Sequence, residues 1–255
     1  MKRYVALGSS MAAGPGIQPR AEGAPRWSGR SARNYAHLIA EREGLELTDV
    51  TFSGARTAHL LTDRQRSAPP QLTTLDGSEA LVTVTIGGND VGYVPLLMAA
   101  AVPRAARRLP LLGGRIAELL DAGARDRALA EVFDSLCAVG AELRRRAPHA
   151  RIFFVDYLTM LPPEGVAAPS LSQADADLGR HVAAALERLT AEAAAATGCE
   201  IVGAAAASRD HHAWSDQPWT TTPAKYVVPL PGRPAPLHPN AAGMRAVAEL
   251  VSAQL

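Results

Sequence analysis

Four short segments hold residue types suited to nucleophilic chemistry, and each also has an ordinary structural use. The first is Gly8-Ser9-Ser10-Met11-Ala12-Ala13-Gly14-Pro15-Gly16. Small residues around a serine let the chain turn sharply and present Oγ at a strand end. The other use for such a turn is phosphate binding, yet neither a Gly-Lys-Ser/Thr ending nor Gly-x-Gly-x-x-Gly spacing is there. Ser53-Gly54-Ala55 carries a backbone N–H that could face the same crevice. In Gly87-Gly88-Asn89-Asp90 two glycines permit close backbone approach and an amide can point inward, although the run reads equally well as a simple turn. Leu237-His238-Pro239-Asn240-Ala241-Ala242-Gly243 sets a histidine just ahead of a helix start, where it is either a base or a capping and packing residue.

The elements that must position these segments alternate. Short apolar runs rich in Val, Ile, Leu, Phe or Thr predict strands at Tyr4–Leu7, Leu47–Phe52, Leu81–Ile86, Arg151–Val155 and Glu200–Val202. Several lack polar alternation, as strands buried on both faces do. Helical periodicity covers roughly Ala32–Arg42, Arg115–Arg146, Ser172–Thr197 and Asn240–Gln254, with Gly123 a candidate break in the second. Strand and helix in alternation imply an α/β fold, a parallel sheet with helices on both faces. Ligands of such sheets sit outside the strands' carboxyl ends, at the switch point of a 2-1-3-4-5 order.

Two stretches fit neither template. Residues 91–114 are apolar but interrupted by Pro95, Pro103 and Pro110, with Arg104, Arg107 and Arg108 alongside. They read as a cap over a cleft or as an irregular helix on the core. Residues 204–236 form a long segment with Trp214, Trp219 and Tyr226, and loops of that length are usually functional or disordered. The aromatics could line an acyl or alcohol pocket or simply pack under the loop. Asp210, His211 and His212 are metal-ligand types, but adjacent histidines on an extended chain diverge and no third ligand is spaced to complete a site. Arg144, Arg145 and Arg146 close a helical run, where they complement the dipole. Cys137 and Cys199 read as small buried residues.

Composition bounds the function classes. The chain has 255 residues, 47% hydrophobic and 20% charged, which excludes a disordered polymer and fits a single domain over 1–255. A formal charge of +1 gives no reason to expect a nucleic-acid partner. No apolar run reaches the ~20 residues of a membrane span, so integral membrane association is not expected. Met1-Lys2-Arg3 leads straight into the first strand without an apolar signal segment, so a cytoplasmic location is the expectation.

Taken together, the four segments resemble the SGNH branch of the GDSL-type esterases and lipases, a family named for a serine, a glycine, an asparagine and a histidine in four blocks. Ser10, Gly54, Asn89 and His238 match them in order, each of the first three after the expected strand. Val155-Asp156-Tyr157-Leu158-Thr159-Met160-Leu161-Pro162 resembles a strand and turn of the family, and the His-Pro-Asn-x-x-Gly run at 238–243 is characteristic. The chain looks like the actinobacterial lipases and esterases of the family, some of which work with a Ser–His dyad. The resemblance implies a three-layer α/β/α sandwich with a mostly parallel, flavodoxin-like five-stranded sheet. It implies Ser10 as nucleophile, His238 as general base, and an oxyanion hole from the N–H groups of Ser10 and Gly54 with the Asn89 amide. Lipid-like or small acyl esters are the implied substrates, and no metal or organic cofactor is required.

Two departures bear on mechanism. The family usually has aspartate before its serine, where this chain has Ser9; side chains diverge at a tight turn, and the Gly-x-Ser register favours Ser10. The family's last block is commonly Asp-x-x-His, but position 235 is alanine. The Ala235 main-chain carbonyl is then the expected support for His238, with Asp210 and Asp216 as alternatives from the preceding loop. A carbonyl preserves the required tautomer but stabilises the imidazolium less than a carboxylate does. Asp90 is expected to organise the Asn89 turn. A carbohydrate O-deacetylase or thioesterase would use the same site, and a catalytically silent binding protein is the reading from another class.

Overall fold

The computed structural model describes residues 1–108, 110–223 and 233–255, with the side chains at 108 and 110–112 also outside the description. Tyr226 lies outside the described residues. Strands β1 (Arg3–Gly8), β2 (Glu46–Asp49), β3 (Glu79–Thr85), β4 (Arg151–Val155) and β5 (Glu200–Val202) form one sheet in the order β2-β1-β3-β4-β5. Every pairing is parallel, so the mostly parallel sheet expected is parallel throughout. The chain winds from β1 outward in both directions, which puts the switch point between β1 and β3.

The central strands β1, β3 and β4 are buried on both faces, and period-two alternation divides their side chains between two cores. Val5, Leu7, Val82, Val84, Ile152 and Phe154 face one layer. It includes α4 (Tyr93–Ala100), α6 (Ala122–Arg146) and α7 (Gln173–Ala196). Tyr4, Ala6, Leu81, Phe153 and Val155 face the other, built from α2 (Tyr35–Glu43), the short α8 (Ala204–Ala207) and α9 (Ala241–Ser252). Tyr4 and Tyr35 reach the strand threonines, hydroxyl to hydroxyl, at 2.7 Å to Thr83 and 3.0 Å to Thr85. No described helix is long and apolar enough to cross a membrane.

Four differences from the sequence reading have local causes. Strand β2 stops at Asp49 because that carboxylate turns back to accept from Thr51 N–H (2.9 Å) and hydroxyl (2.7 Å) and from Asn34 (2.7 Å). The second long helix divides at Asp121, not at Gly123. There the Asp121 side chain caps Ala124 N–H (2.6 Å), and α5 (Pro110–Leu119) precedes it. In the 91–114 segment, Pro95 lies in the first turn of α4, where no intrahelical N–H bond is lost. Leu96 and Leu97 are fully buried there, so α4 belongs to the core and offers only its other face to solvent. The arginines that end α6 do more than meet a dipole. Arg144 donates to the carbonyls of Ala150 (2.9 Å) and Gly198 (2.7 Å), and Arg146 to Leu72 (3.0 Å), tying the helix end to its neighbours.

Candidate active site

The Ser10 turn begins where β1 ends. Gly8 has φ +132, and a Cβ there would sit 2.4 Å from the Thr85 carbonyl oxygen, so only glycine lets β1 pass this close to β3. Buried Gln71 clamps both backbone groups of Gly8: its Oε1 accepts from the N–H (2.7 Å) and its Nε2 donates to the carbonyl (3.1 Å). Ser9 N–H donates to Thr85 O at 2.9 Å. Its hydroxyl points to Tyr157 Oη at 3.3 Å, away from the histidine. Ser10 opens the short helix α1 (Ser10–Ala13), so its N–H has no acceptor within the helix.

His238 arrives from the opposite side, two residues before Asn240 caps α9 by accepting from Ala242 (2.8 Å) and Gly243 (3.0 Å). His238 Nε2 lies 2.8 Å from Ser10 Oγ, and Nδ1 lies 2.7 Å from the carbonyl of Pro236. A carbonyl only accepts, so Nδ1 carries the proton and Nε2 accepts from the serine hydroxyl. Desolvation pushes the imidazole below its ordinary range, partly offset by the Pro236 bond.

The supporting carbonyl is thus one residue later than the sequence suggests. Ala235 O is occupied by the Thr221 hydroxyl at 2.6 Å, and Leu237 takes a left-handed φ of +57, which folds Pro236 O back under the ring. Ala235 instead lines the cleft. Neither Asp210 nor Asp216 bonds to His238. Thr221 holds the histidine segment from the side: its N–H donates to His238 O (3.0 Å), and its carbonyl accepts from Leu237 N–H (3.1 Å).

The remaining wall comes from the ends of β2 and β3. Gly54 has φ +79, a left-handed bend that swings the Ser53-Gly54-Ala55 turn toward the serine. Neither the Ser10 nor the Gly54 N–H donates to another group among the described residues. Asn89 Nδ2 donates one hydrogen to Ala55 O at 2.8 Å, leaving its second for the cleft. Asp90 receives Thr57 N–H (3.1 Å) and hydroxyl (2.6 Å), which joins the Asn89 turn to the start of α3 (Thr57–Leu61). Burial still raises this carboxyl above the ordinary range, against the Thr57 bonds. Tyr157 Oη accepts from Gly88 N–H at 2.9 Å, and burial pushes its hydroxyl up to about 12.

Ser10, Gly54, Asn89 and His238 line one cleft of about 310 Å³, together with Pro15, Val94 and Pro95. Trp214 and Trp219 are not part of its lining. Trp214 packs on one core and Trp219 on the other, and Trp219 stacks on the His211 ring at 4.1 Å. His211 Nδ1 meets Gln217 O (2.8 Å), and His212 Nδ1 accepts from Trp214 N–H (3.2 Å), so both rings serve loop packing. A second cavity of about 280 Å³, lined by Tyr93, Tyr157, Met160 and Leu161 among others, holds neither Ser10 nor His238. Gln71, Thr57, Tyr157, Thr221 and Pro236 are the site's supports that sequence reasoning missed; each acts through a partner distant in sequence or through one carbonyl.

Residues 6–246 match the GDSL-like lipase/acylhydrolase family model. Lipase 2 of Streptomyces coelicolor is 34% identical over 258 residues, covering 96% of this chain and 83% of that protein. The crystal structure of phospholipase A1 from Streptomyces albidoflavus superposes with a TM-score of 0.82 at 23% identity, covering 100% of this chain and 99% of the other. The extracellular lipase of Streptomyces rimosus gives 0.80 at 24% identity with full coverage of both chains. The chain belongs to the GDSL-like lipase/acylhydrolase family.

Proposed function

We propose that the chain hydrolyses carboxylic esters of lipid-like or small acyl type through an acyl-enzyme on Ser10, with His238 as general base. The observation that carries this reading is the 2.8 Å contact between Ser10 Oγ and His238 Nε2, with the ring's other nitrogen already committed to a carbonyl. Family membership and the lipase relatives support the ester as substrate.

Ser10 Oγ attacks the ester carbonyl carbon while its proton passes to His238 Nε2. The carbonyl π pair moves to oxygen, and the N–H groups of Ser10 and Gly54 and the free Asn89 amide hydrogen receive that oxyanion. A donor of this kind is worth about 2.7–4 kcal/mol in the transition state. The pair returns, the bond to the alcohol oxygen breaks, and His238 hands its proton to the leaving alcohol. Water, deprotonated by His238, then repeats the attack on the acyl-enzyme and releases the acid. Pro236 O keeps the imidazole in the working tautomer throughout. Because desolvation favours neutral His238, the base form predominates near neutral pH without a carboxylate partner.

The test is hydrolysis of p-nitrophenyl esters, from acetyl to long acyl chains, by the protein and by Ser10→Ala. Removal of the nucleophile is expected to lower kcat by about 10⁶, as in other serine hydrolases of this logic. The chain length of maximal kcat/KM measures the acyl site. Retained activity in Ser10→Ala overturns the assignment, and failure of the protein to take up an organophosphonate marks it as a binding protein.

A further inference from the structure

The loop before Gly29 lies against the rim of the cleft. Ser28 O accepts from both the N–H and the hydroxyl of Ser53 at 2.8 Å, and Gly29 packs against Pro15. Ser53 and Pro15 both line the cleft. One residue ahead of this anchor, Trp27 stands 62% exposed, the one aromatic among the exposed large apolar side chains described. Two guanidinium groups lie over its ring, Arg66 at 5.0 Å and Arg26 at 5.8 Å from the centroid. They come from separate turns, and Arg66 is held in a left-handed backbone with φ +57.

The charge here is uncompensated. Among the described residues no carboxylate pairs with Arg26, Arg64 or Arg66; Arg104, Arg127 and Arg245 are also without one, and what sets this corner apart is that two of its guanidinium groups stand over an exposed indole. With a net charge of only +1 for the whole chain, this corner is a local feature rather than part of a general basic surface. An indole braced by arginines on its surface cannot be explained by core packing.

We propose that Trp27, Arg26 and Arg66 form a docking surface for anionic phospholipid, which brings the mouth of the cleft against a lipid surface. An indole partitions to the headgroup level, and guanidinium forks match phosphate oxygens. The positive corner complements the negative potential of anionic lipid, and that attraction decays over about 10 Å at 0.1 M salt. The location supplies the use: Val94 and Pro95, apolar residues of the cleft wall, are the first groups an acyl chain leaving that surface would meet. Only this use rests on the ester-hydrolase reading; the docking itself does not.

The experiment is co-sedimentation of the full chain with vesicles of phosphatidylcholine alone or in equal mixture with phosphatidylglycerol, at low and high salt. The protein is compared with Trp27→Ala and with the double variant Arg26→Gln/Arg66→Gln, and each is assayed on a soluble acetyl ester. Binding to the anionic vesicles is expected, falling roughly 25-fold in the double variant, about fivefold per arginine, and several-fold in Trp27→Ala. Soluble-ester turnover should be equal in all three. Equal binding to the two vesicle types, no binding by the protein itself, or undiminished binding by the variants overturns the proposal. If the vesicle pattern holds while no form hydrolyses the ester, the docking surface stands and the hydrolase reading falls.

Discussion

The two sides of the cleft are built by different means. On the serine side Ser10, Asn89 and Gly54 stand two, four and five residues past the ends of β1, β3 and β2, and their neighbours are fixed by bonds between elements: Gln71 to Gly8, Thr57 to Asp90, Tyr157 to Gly88. On the histidine side, His238 sits in an irregular segment held chiefly by one residue, Thr221, and oriented by a single backbone carbonyl. The difference teaches where precision is needed. An oxyanion hole must be rigid before charge develops, and the turns proposed to form it are tied to the sheet. The base needs only one tautomer and one direction, and a left-handed residue with its preceding carbonyl supplies both.

That contrast can be broken by substitution, starting where the effect should be largest. Asn89→Ala removes a proposed oxyanion donor and should lower kcat by about 10²–10³ with KM little changed. A loss below tenfold would mean that the second amide hydrogen does not face the reacting oxygen. Gln71→Ala leaves the buried N–H of Gly8 unpaired, while its carbonyl keeps the Phe52 N–H at 3.0 Å, and should cost about 1–3 kcal/mol in urea unfolding. If the serine side is built as described, this stability loss exceeds that of any single change on the histidine side. Thr221→Val is the matching test there: about 1 kcal/mol of stability, because its hydroxyl bond to Ala235 is half-exposed, but a severalfold drop in kcat as the segment loosens. A stability loss as large as that of Gln71→Ala would erase the distinction.

The same division decides what was legible in the sequence. Ser10, Gly54 and Asn89 could be found because a glycine-bearing turn directly after a buried strand is a local signal. The parallel sheet followed from alternating strand and helix, whereas its order came only with the family resemblance. Gln71, Tyr157 and Thr221 could not be found, since their partners lie 63, 69 and 14 residues away and nothing local marks the pairing. The shift from Ala235 to Pro236 has the same origin. It depends on Leu237 adopting φ +57, and a leucine gives no hint of a left-handed conformation that glycine or asparagine would have advertised. Helix α4 was obscured by reading Pro95 as an interruption when it stands in a first turn.

The smallest effect is the sharpest probe of the histidine side. Hydrolysis needs neutral His238, so kcat/KM on a soluble ester should rise with pH as the ring loses its proton. Desolvation lowers that ionisation, so the rise should be centred below the ordinary imidazole value of about 6.5. Ala235→Asp puts a carboxylate where relatives of the Asp-x-x-His type carry one, while Pro236 O still holds Nδ1 and Thr221 still holds the residue's own carbonyl. A nearby negative charge favours the imidazolium, so the midpoint should move up by about one unit or less. The plateau rate should stay within about threefold, because the tautomer was already secured by the carbonyl. A gain of tenfold or more would show that the new carboxylate had displaced Pro236 O. The backbone carbonyl would then be a weak substitute for a lost acid, not a sufficient support in its own right.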